Sequence, residues 1–326
     1  MQIQLSRRSF LLIAYCMFFV MAIPTGILNV AWTYMQGTFG VSLDSLGVLL
    51  LVATCGGLLG AFFSGRVIGR IGVGGYLSGG SIIALLGLLG YSFAPTWILV
   101  LSSVFLMALG LSTFNAGLNL FVSANYTTGQ LNWLHAAYGL GLTVGPTLAT
   151  LVVERLGQSW HFCYLIMFVM VLALTMLLWS TRRQWVIEDE DHAIGALNSA
   201  PIERVSMWES LHVPAVLIGI TLFMVMNGII GSTGQLSSTL LTARGIADAG
   251  FWVSAYWASF TVGRIIMGFI AHRLDNTRLI RYCILGAIIG AVLLWQNASS
   301  LLNLLGLGMI GFSCAPLYPT MVAETR

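Results

Sequence analysis

Residues 60–70 read GAFFSGRVIGR, and residues 263–273 read GRIIMGFIAHR. Both stretches have the pattern G-x-x-x-x-G-x-x-x-x-R, and the two copies are offset by 203 residues. Glycines allow helices to approach each other closely in a membrane. A match in both spacing and residue type indicates an internal repeat, which is a feature of transporter architectures.

The composition around these stretches is typical of a chain that lies mostly in lipid. Apolar residues make up 58% of the chain and charged residues 8%, against roughly a quarter charged in soluble domains. Between Ile71 and Val153 the chain has no Asp, Glu, Lys or Arg. So few charges cannot cover the surface of a soluble protein of this length. The composition therefore predicts an all-α, polytopic membrane protein.

Ten apolar runs are about as long as the 20 residues that a helix needs to cross the hydrocarbon core. The predicted spans are residues 9–34, 46–68, 75–94, 96–122, 135–153, 161–180, 213–240, 249–270, 279–296 and 299–321. A charged segment separates the first six from the last four. We therefore expect an N-terminal six-helix bundle at residues 1–180, a cytoplasmic linker at 181–212 and a partial C-terminal bundle of four helices at 213–326.

The arginines predict the orientation of these spans. With the N-terminus inside, every arginine except Arg155, Arg244 and Arg264 falls at a cytoplasmic end or loop, as the positive-inside rule requires. We expect a multi-pass protein of the inner (plasma) membrane with a cytoplasmic N-terminus. The N-terminal stretch at residues 6–11, SRRSFL, resembles a twin-arginine export signal. Because the apolar run after it continues to Trp32, we interpret it as a basic anchor instead.

The first glycine–arginine stretch resembles the loop motif of the major facilitator superfamily, which reads roughly G-x-L-a-D-R-x-G-R. Residues 65–72 match it with Gly69 in place of the Asp, and His272 takes that position in the second copy. The resemblance implies two pseudo-repeated helical bundles and a gating role for the loop residues. Since the superfamily has twelve helices, we expect this six-plus-four chain to be C-terminally incomplete. The candidate gating residues are Gly65, Arg70, Gly72, Arg264, Gly268, Arg273 and Asp275.

Residues 131–146 resemble the fifth helix of the same superfamily, in the branch that contains fucose, galactose and glucose symporters. Residues 115–119 and 311–320 are also similar to that branch. The Gly-x-x-x-Gly-Pro pattern partly matches drug/proton antiporters as well. His135 is either a titratable coupling group or a structural cap at the loop boundary. The helix-5 motif residues are His135, Gly141, Gly145 and Pro146.

Polar residues inside membrane spans identify candidates for solute contact, because they are costly to keep in lipid. The resemblance implies that the first, fourth, seventh and tenth helices line a central cavity. Amides both donate and accept hydrogen bonds, which suits the hydroxyl groups of a sugar. The alternative is that each one only binds a neighbouring helix. The candidates are Thr25, Asn29, Trp32, Asn115, Asn119, Asn227 and Gln235.

These features predict a secondary transporter that moves a small polar solute, sugar-like or a metabolite, by alternating access. Two alternatives stay open: a drug or metabolite efflux antiporter of the same fold, and a truncated, non-transporting membrane scaffold. We do not expect an enzyme, since the chain has no HExxH or GxSxG motif. The five cysteines are scattered without metal spacing, so we expect no metal and no cofactor. The expected partners of a monomeric chain are the solute and the lipid bilayer, not nucleic acid.

Overall fold

The structure is a computed structural model that describes residues 6–187, 214–270 and 275–317. These parts of the chain form ten α-helices and no strand. The helices are α1 Arg7–Phe39, α2 Ser45–Phe62, α3 Ser64–Ser92, α4 Trp97–Asn125, α5 Thr128–Ala149, α6 His161–Thr181, α7 Pro214–Ala243, α8 Ala249–Ile270, α9 Asn276–Gln296 and α10 Ser300–Cys314. A π-helical turn, Thr150–Arg155, continues α5, and a 3₁₀ turn, Arg182–Gln184, continues α6. Each predicted span overlaps one of these helices.

Seven helical stretches of the described chain are long and apolar enough to cross a bilayer. Six of them are the successive stretches from α1 to α6, and the seventh is Arg278–Gln296 in α9. Contacts group residues 1–193 into one compact unit, unit 1, and residues 194–326 into another, unit 2. Most of the predicted linker, residues 188–213, lies outside the described residues.

In unit 1, α4 packs against both α2 and α3, and glycines set how close these helices come. A Cβ added at Gly60 of α2 would lie 2.7 Å from the carbonyl oxygen of Leu109 on α4. A Cβ added at Gly87 of α3 would lie 2.8 Å from the carbonyl oxygen of Ser103 and would also meet the backbone of Met107. Real Cβ contacts are not this short, so any larger residue would push the helices apart.

Unit 2 repeats these contacts at an offset of 203 residues. A Cβ at Gly263 of α8 would lie 2.7 Å from the carbonyl oxygen of Phe312 on α10. A Cβ at Gly290 of α9 would lie 2.7 Å from the carbonyl oxygen of Gly306 and 3.0 Å from the nitrogen of Ile310. All five residues lie 203 positions after their counterparts in unit 1. The prediction of two pseudo-repeated helical bundles is therefore confirmed at the level of individual packing contacts.

One repeated contact is reversed between the two units. In unit 1 the small residue lies on the third helix, and a Cβ at Gly90 would be 3.3 Å from the Cβ of Ser103 on α4. In unit 2 the small residue lies on the tenth helix, and a Cβ at Gly306 would be 3.2 Å from the Cβ of Leu293 on α9. The equivalent pairs are again 203 residues apart. The close approach of the two helices is thus the same in both units, but the glycine that permits it lies on opposite partners of the helix pair.

Candidate solute-binding and gating residues

The two asparagines of α4 lie on one face of the helix, as their spacing predicts. The Asn119 side-chain NH₂ donates to the Asn115 backbone oxygen and to its side-chain oxygen, both at 2.8 Å. Among the described residues, the Asn115 NH₂ and the Asn119 amide oxygen have no further hydrogen-bond partner. Asn115 is exposed and Asn119 half-buried. The pair therefore presents one donor and one acceptor side by side on α4.

The candidates on α1 have different environments although they are close in sequence. Thr25 is exposed, whereas Asn29 and Trp32 are fully buried. The Trp32 ring lies 6.0 Å from the Trp97 ring in an edge-to-face arrangement. The Trp32 indole nitrogen, Nε1, is buried and has no acceptor among the described residues. A buried donor of this kind needs a partner such as a water or a solute hydroxyl.

The candidates on α7 also differ in exposure. Asn227 is exposed and lies close to the middle of the 30-residue helix. Gln235, two turns further along, is buried. Both side chains have interaction partners within the structure. Of the two, Asn227 is the one whose surface is available to a solute in unit 2.

The first loop motif lies at the end of the second apolar helix, as the sequence predicts. Phe63, between α2 and the first turns of α3, has helical backbone angles (φ −87°, ψ −3°), and the Val67 N–H donates to its carbonyl at 3.0 Å, so the helix continues past Phe62. The break comes at Gly72, which has φ 72° and ψ 169° inside the helix that continues to Ser92. This backbone region is open to glycine alone. Gly65 and Arg70 precede the break and are exposed.

The residues of the second motif copy take several roles. Gly268 lies in the last turn of α8, and Arg273 lies outside the described residues. Asp275 is the N-cap of α9, and its carboxylate accepts the backbone N–H of Arg278 at 3.0 Å. This cap stabilises the first turn of the helix. The half-buried Arg264 lies inside α8 with its guanidinium 4.6 Å from the centre of the Phe260 ring.

The helix-5 motif forms the closest contact between α5 and α1. A Cβ at Gly145 would lie 2.6 Å from the Cα of Gly26, and Gly141 faces the Phe19 carbonyl with similar closeness. Pro146 has no N–H to bond the Leu142 carbonyl, four residues earlier. A Cβ at Gly26 would lie 2.8 Å from that oxygen. The motif therefore positions α1, which carries three of the solute-contact candidates.

Replacing Gly145 by Ala is expected to lower the unfolding free energy by about 1–3 kcal/mol, because the new methyl group overpacks the contact with α1. Thermal unfolding of the purified protein in detergent measures the effect. Gly37→Ala is the matched control, since no atom lies within 4 Å of a Cβ at Gly37 in α1. That change removes a poor helix former and should leave stability equal or slightly higher. Equal melting of both variants would contradict the packing role.

His135 is not a cap at the loop boundary, which corrects one of the two readings of this residue. The predicted fifth span begins at residue 135, but α5 begins at Thr128. Its cap is a capping box between Thr127 and Gln130, which was readable from the sequence. His135 lies about two turns inside the helix, with its ring 5.6 Å from that of Phe18.

Sequence reasoning missed an aromatic plug that follows α6. Trp185, which falls in the predicted linker, is 2% exposed. Its ring centre lies 5.1 Å from that of Phe10 on α1 and 4.8 Å from that of Phe121 on α4. The indole N–H donates to the Thr181 hydroxyl at 3.1 Å. The chain therefore stays bound to unit 1 beyond α6, at the same end as the N-terminus of α1.

A second missed feature is a clamp in unit 2. Arg244 follows α7, and its guanidinium donates to the Leu294 carbonyl at 2.6 Å and to the Asn303 side-chain oxygen at 2.8 Å. The Asn303 NH₂ donates in turn to the Asn297 side-chain oxygen at 2.9 Å. Leu294 is one of the last four residues of α9, whose carbonyls lack partners within the helix. The clamp gives a structural role to one of the three arginines that do not fit the predicted cytoplasmic pattern.

The sequence profile of the Major Facilitator Superfamily matches residues 14–325. The chain belongs to this superfamily. GlcP, a glucose/mannose transporter of Bacillus subtilis (strain 168), is 20% identical over 315 residues, which cover 94% of this chain and 77% of the relative. An uncharacterized transporter of this superfamily from Enterobacter sp. (strain 638) is 24% identical over 270 residues, which cover 82% of this chain and 67% of the relative.

Solved structures of superfamily members have the same fold. A D-xylose–proton symporter matches with a TM-score of 0.74 at 12% identity, over 95% of this chain and 80% of that chain. The E. coli fucose:proton symporter FucP matches with a TM-score of 0.60 at 15% identity, over 96% of this chain and 83% of that chain. At these identities the likeness concerns the fold. The chain is thus a multi-pass membrane protein of a transporter superfamily.

Proposed function

We propose that this chain is a secondary transporter that moves a small, uncharged polar solute, such as a sugar, by alternating access. The observation that carries the proposal is the asparagine pair on α4. It offers an amide donor and an amide acceptor next to each other, neither of which has a further partner in the described part of the chain, and both lie in a stretch without formal charges. Adjacent hydroxyl groups of a sugar have the complementary donors and acceptors.

Polar groups on two other helices support this proposal. The buried Trp32 indole N–H on α1 has no acceptor in the described part of the chain, and Asn227 exposes an amide near the centre of α7. We propose that each of these groups, within its own unit, is available to bind a polar solute. The named substrates of GlcP and of the two symporters are sugars, which favours the same class of solute.

We also propose an inner-membrane location with the N-terminus in the cytoplasm, and a working unit of one chain. This orientation follows from the arginine distribution. We retain the division into a bundle at residues 1–180, a linker from 181 and a second bundle from 213. The Trp185 contacts add the first residues of that linker to the N-terminal bundle as a docked segment.

Counterflow of radiolabelled glucose in proteoliposomes tests the proposed function. We expect uptake above that of empty liposomes, and about tenfold lower transport for Asn115→Ala and for Asn227→Ala. Tenfold corresponds to the loss of one hydrogen bond of about 1.4 kcal/mol. Ser123→Ala is the control on α4, because the Ser123 hydroxyl donates only to the Leu120 carbonyl of its own helix, at 3.0 Å.

A parallel panel of labelled sugars and cationic drugs distinguishes the competing functions. Counterflow of a cationic drug without any sugar would replace the proposal by the efflux antiporter. Transport of no class above empty liposomes would favour the non-transporting scaffold. Equal losses in Ser123→Ala and Asn115→Ala would show that the effect is structural and not due to solute contact.

A further inference from the structure

A cavity of about 540 Å³ opens beside the N-terminus of α1, and it is separate from the solute-binding candidates. It is formed by the first two turns of α1, the end of α4 and the start of α5. The lining residues are Arg7, Arg8, Leu11, Ala124, Asn125, Tyr126, Thr127 and Gln130. None of the described residues that line it is acidic, and the two arginines contribute positive charge to it.

The Arg7 side chain is held in position at this cavity. Its guanidinium donates to the Asn125 carbonyl at 2.7 Å and lies 5.6 Å from the centre of the Tyr126 ring. The Tyr126 hydroxyl donates back to the Arg7 carbonyl at 2.6 Å. These contacts between α1 and the α4–α5 turn fix the Arg7 guanidinium before any ligand binds. Binding therefore does not require the conformational entropy of this side chain to be lost.

Arg8 supplies the second charge, and it is available. The side chain is exposed, and it has no hydrogen-bond or ion-pair partner among the described residues. The C-terminal end of α4 and the N-terminal end of α5 both lie at the cavity, so their opposite partial charges offset each other and the positive potential comes from the arginines. Two guanidiniums on one wall form an arrangement that suits a phosphate group.

Part of the remaining wall is apolar. Leu11 and Ala124 contribute aliphatic surface, and Tyr126 contributes its ring. A free inorganic anion gains nothing from such surface, whereas the glycerol and first acyl carbons of a phospholipid can pack on it. The cavity also lies at the end of a membrane-spanning helix, where headgroups are found.

We propose that this cavity is a binding site for an anionic phosphate group, supplied by a phospholipid headgroup of the leaflet that faces the N-terminus. The site fixes the depth and tilt of α1 through the basic pair that the sequence places before the first span. It goes beyond the proposed transport function, and it does not depend on which solute is carried.

Native mass spectrometry of the whole detergent-purified protein tests the site. Phosphatidylglycerol, phosphatidylcholine or inorganic phosphate is titrated in, and the apparent Kd of the first bound molecule is measured. We expect phosphatidylglycerol to bind more tightly than phosphatidylcholine, and Arg8→Gln to weaken it about fivefold, the effect of one basic residue near an anionic surface. Arg8→Lys keeps the charge and should retain most of the binding.

The matched control is Arg183→Gln, which removes an exposed arginine at the end of α6, outside the cavity. It should bind phosphatidylglycerol like the parent protein. If inorganic phosphate binds the parent protein but not Arg8→Gln, the phosphate site is supported, and its ligand is a soluble anion and not a lipid headgroup. Equal affinities for the two lipids, or equal weakening by Arg8→Gln and Arg183→Gln, would overturn the proposal. Transport by Arg8→Gln is measured separately, so a failure here leaves the transport proposal standing.

Discussion

Trp185→Ala is expected to lower the stability of unit 1 by about 3–5 kcal/mol, the usual cost of truncating a buried tryptophan. The indole fills the space between Phe10 of α1 and Phe121 of α4, and its N–H satisfies the Thr181 hydroxyl. Removing it opens a cavity where the first, fourth and sixth helices meet. Among residues outside the ten helices, Trp185 is therefore the one to which we assign the largest contribution to the free energy of unfolding.

Thermal unfolding in detergent measures this loss, with a thiol-reactive dye on a background in which the buried Cys163 of α6 is the only cysteine kept. A shift in Tm on the order of 10 °C is expected for such a change. Trp179→Ala is the control, because Trp179 is 54% exposed and stacks only on the guanidinium of Arg182, at 4.1 Å. If both variants melt at the same temperature, Trp185 is not a structural plug.

Arg244→Met is expected to destabilise unit 2 by about 1.5–3 kcal/mol, the range for a hydrogen bond made by a charged group. Methionine keeps much of the side-chain length, but it leaves the Leu294 carbonyl and the Asn303 amide oxygen without their donor. Asn303 is 2% exposed, so water cannot readily replace the guanidinium. The positive charge at the C-terminal end of α9 is lost as well.

The same dye assay, on a background that keeps only the buried Cys283 and Cys314 of unit 2, measures the effect of Arg244→Met. Arg281→Met is the matched control, because it removes an exposed arginine from the opposite end of α9. The double variant with Asn303→Ala should lose less stability than the sum of the losses in the two single variants, since both changes remove the same interaction. Full additivity would contradict the clamp.

The fold was predictable because a helix that crosses the hydrocarbon core needs a long apolar run, which is easy to recognise in a sequence. Apolar length gave the number of spans, and the offset of 203 residues between two glycine patterns gave the duplication. Helix ends were predictable only to within a few residues. Hydropathy ends the second span near residue 68 and begins the third near residue 75, and the backbone angles of Gly72 give the position of the break between them. The polar residues before α5 read as a loop, although Thr127 and Gln130 form a capping box.

The candidate site was predictable in position along each helix but not in environment. A spacing of four residues places Asn115 and Asn119 on one face, and this holds because it follows from helix geometry alone. The same spacing does not determine what packs against the face, so Asn29 is buried while Thr25 is exposed. Trp185 was missed because a buried side chain in a charged segment has no periodic pattern that reveals it.

The reversed contact between the repeats has a consequence for how the two halves diverged. In one half the void between neighbouring helices belongs to Gly90, opposite Ser103; in the other it belongs to Gly306, opposite Leu293. No single codon change converts one arrangement into the other. An ancestor with side chains on both helices would have been overfilled at this point, and one with two glycines would have held an empty space. Chimaeras that exchange parts of the two halves must therefore carry both members of the pair across together.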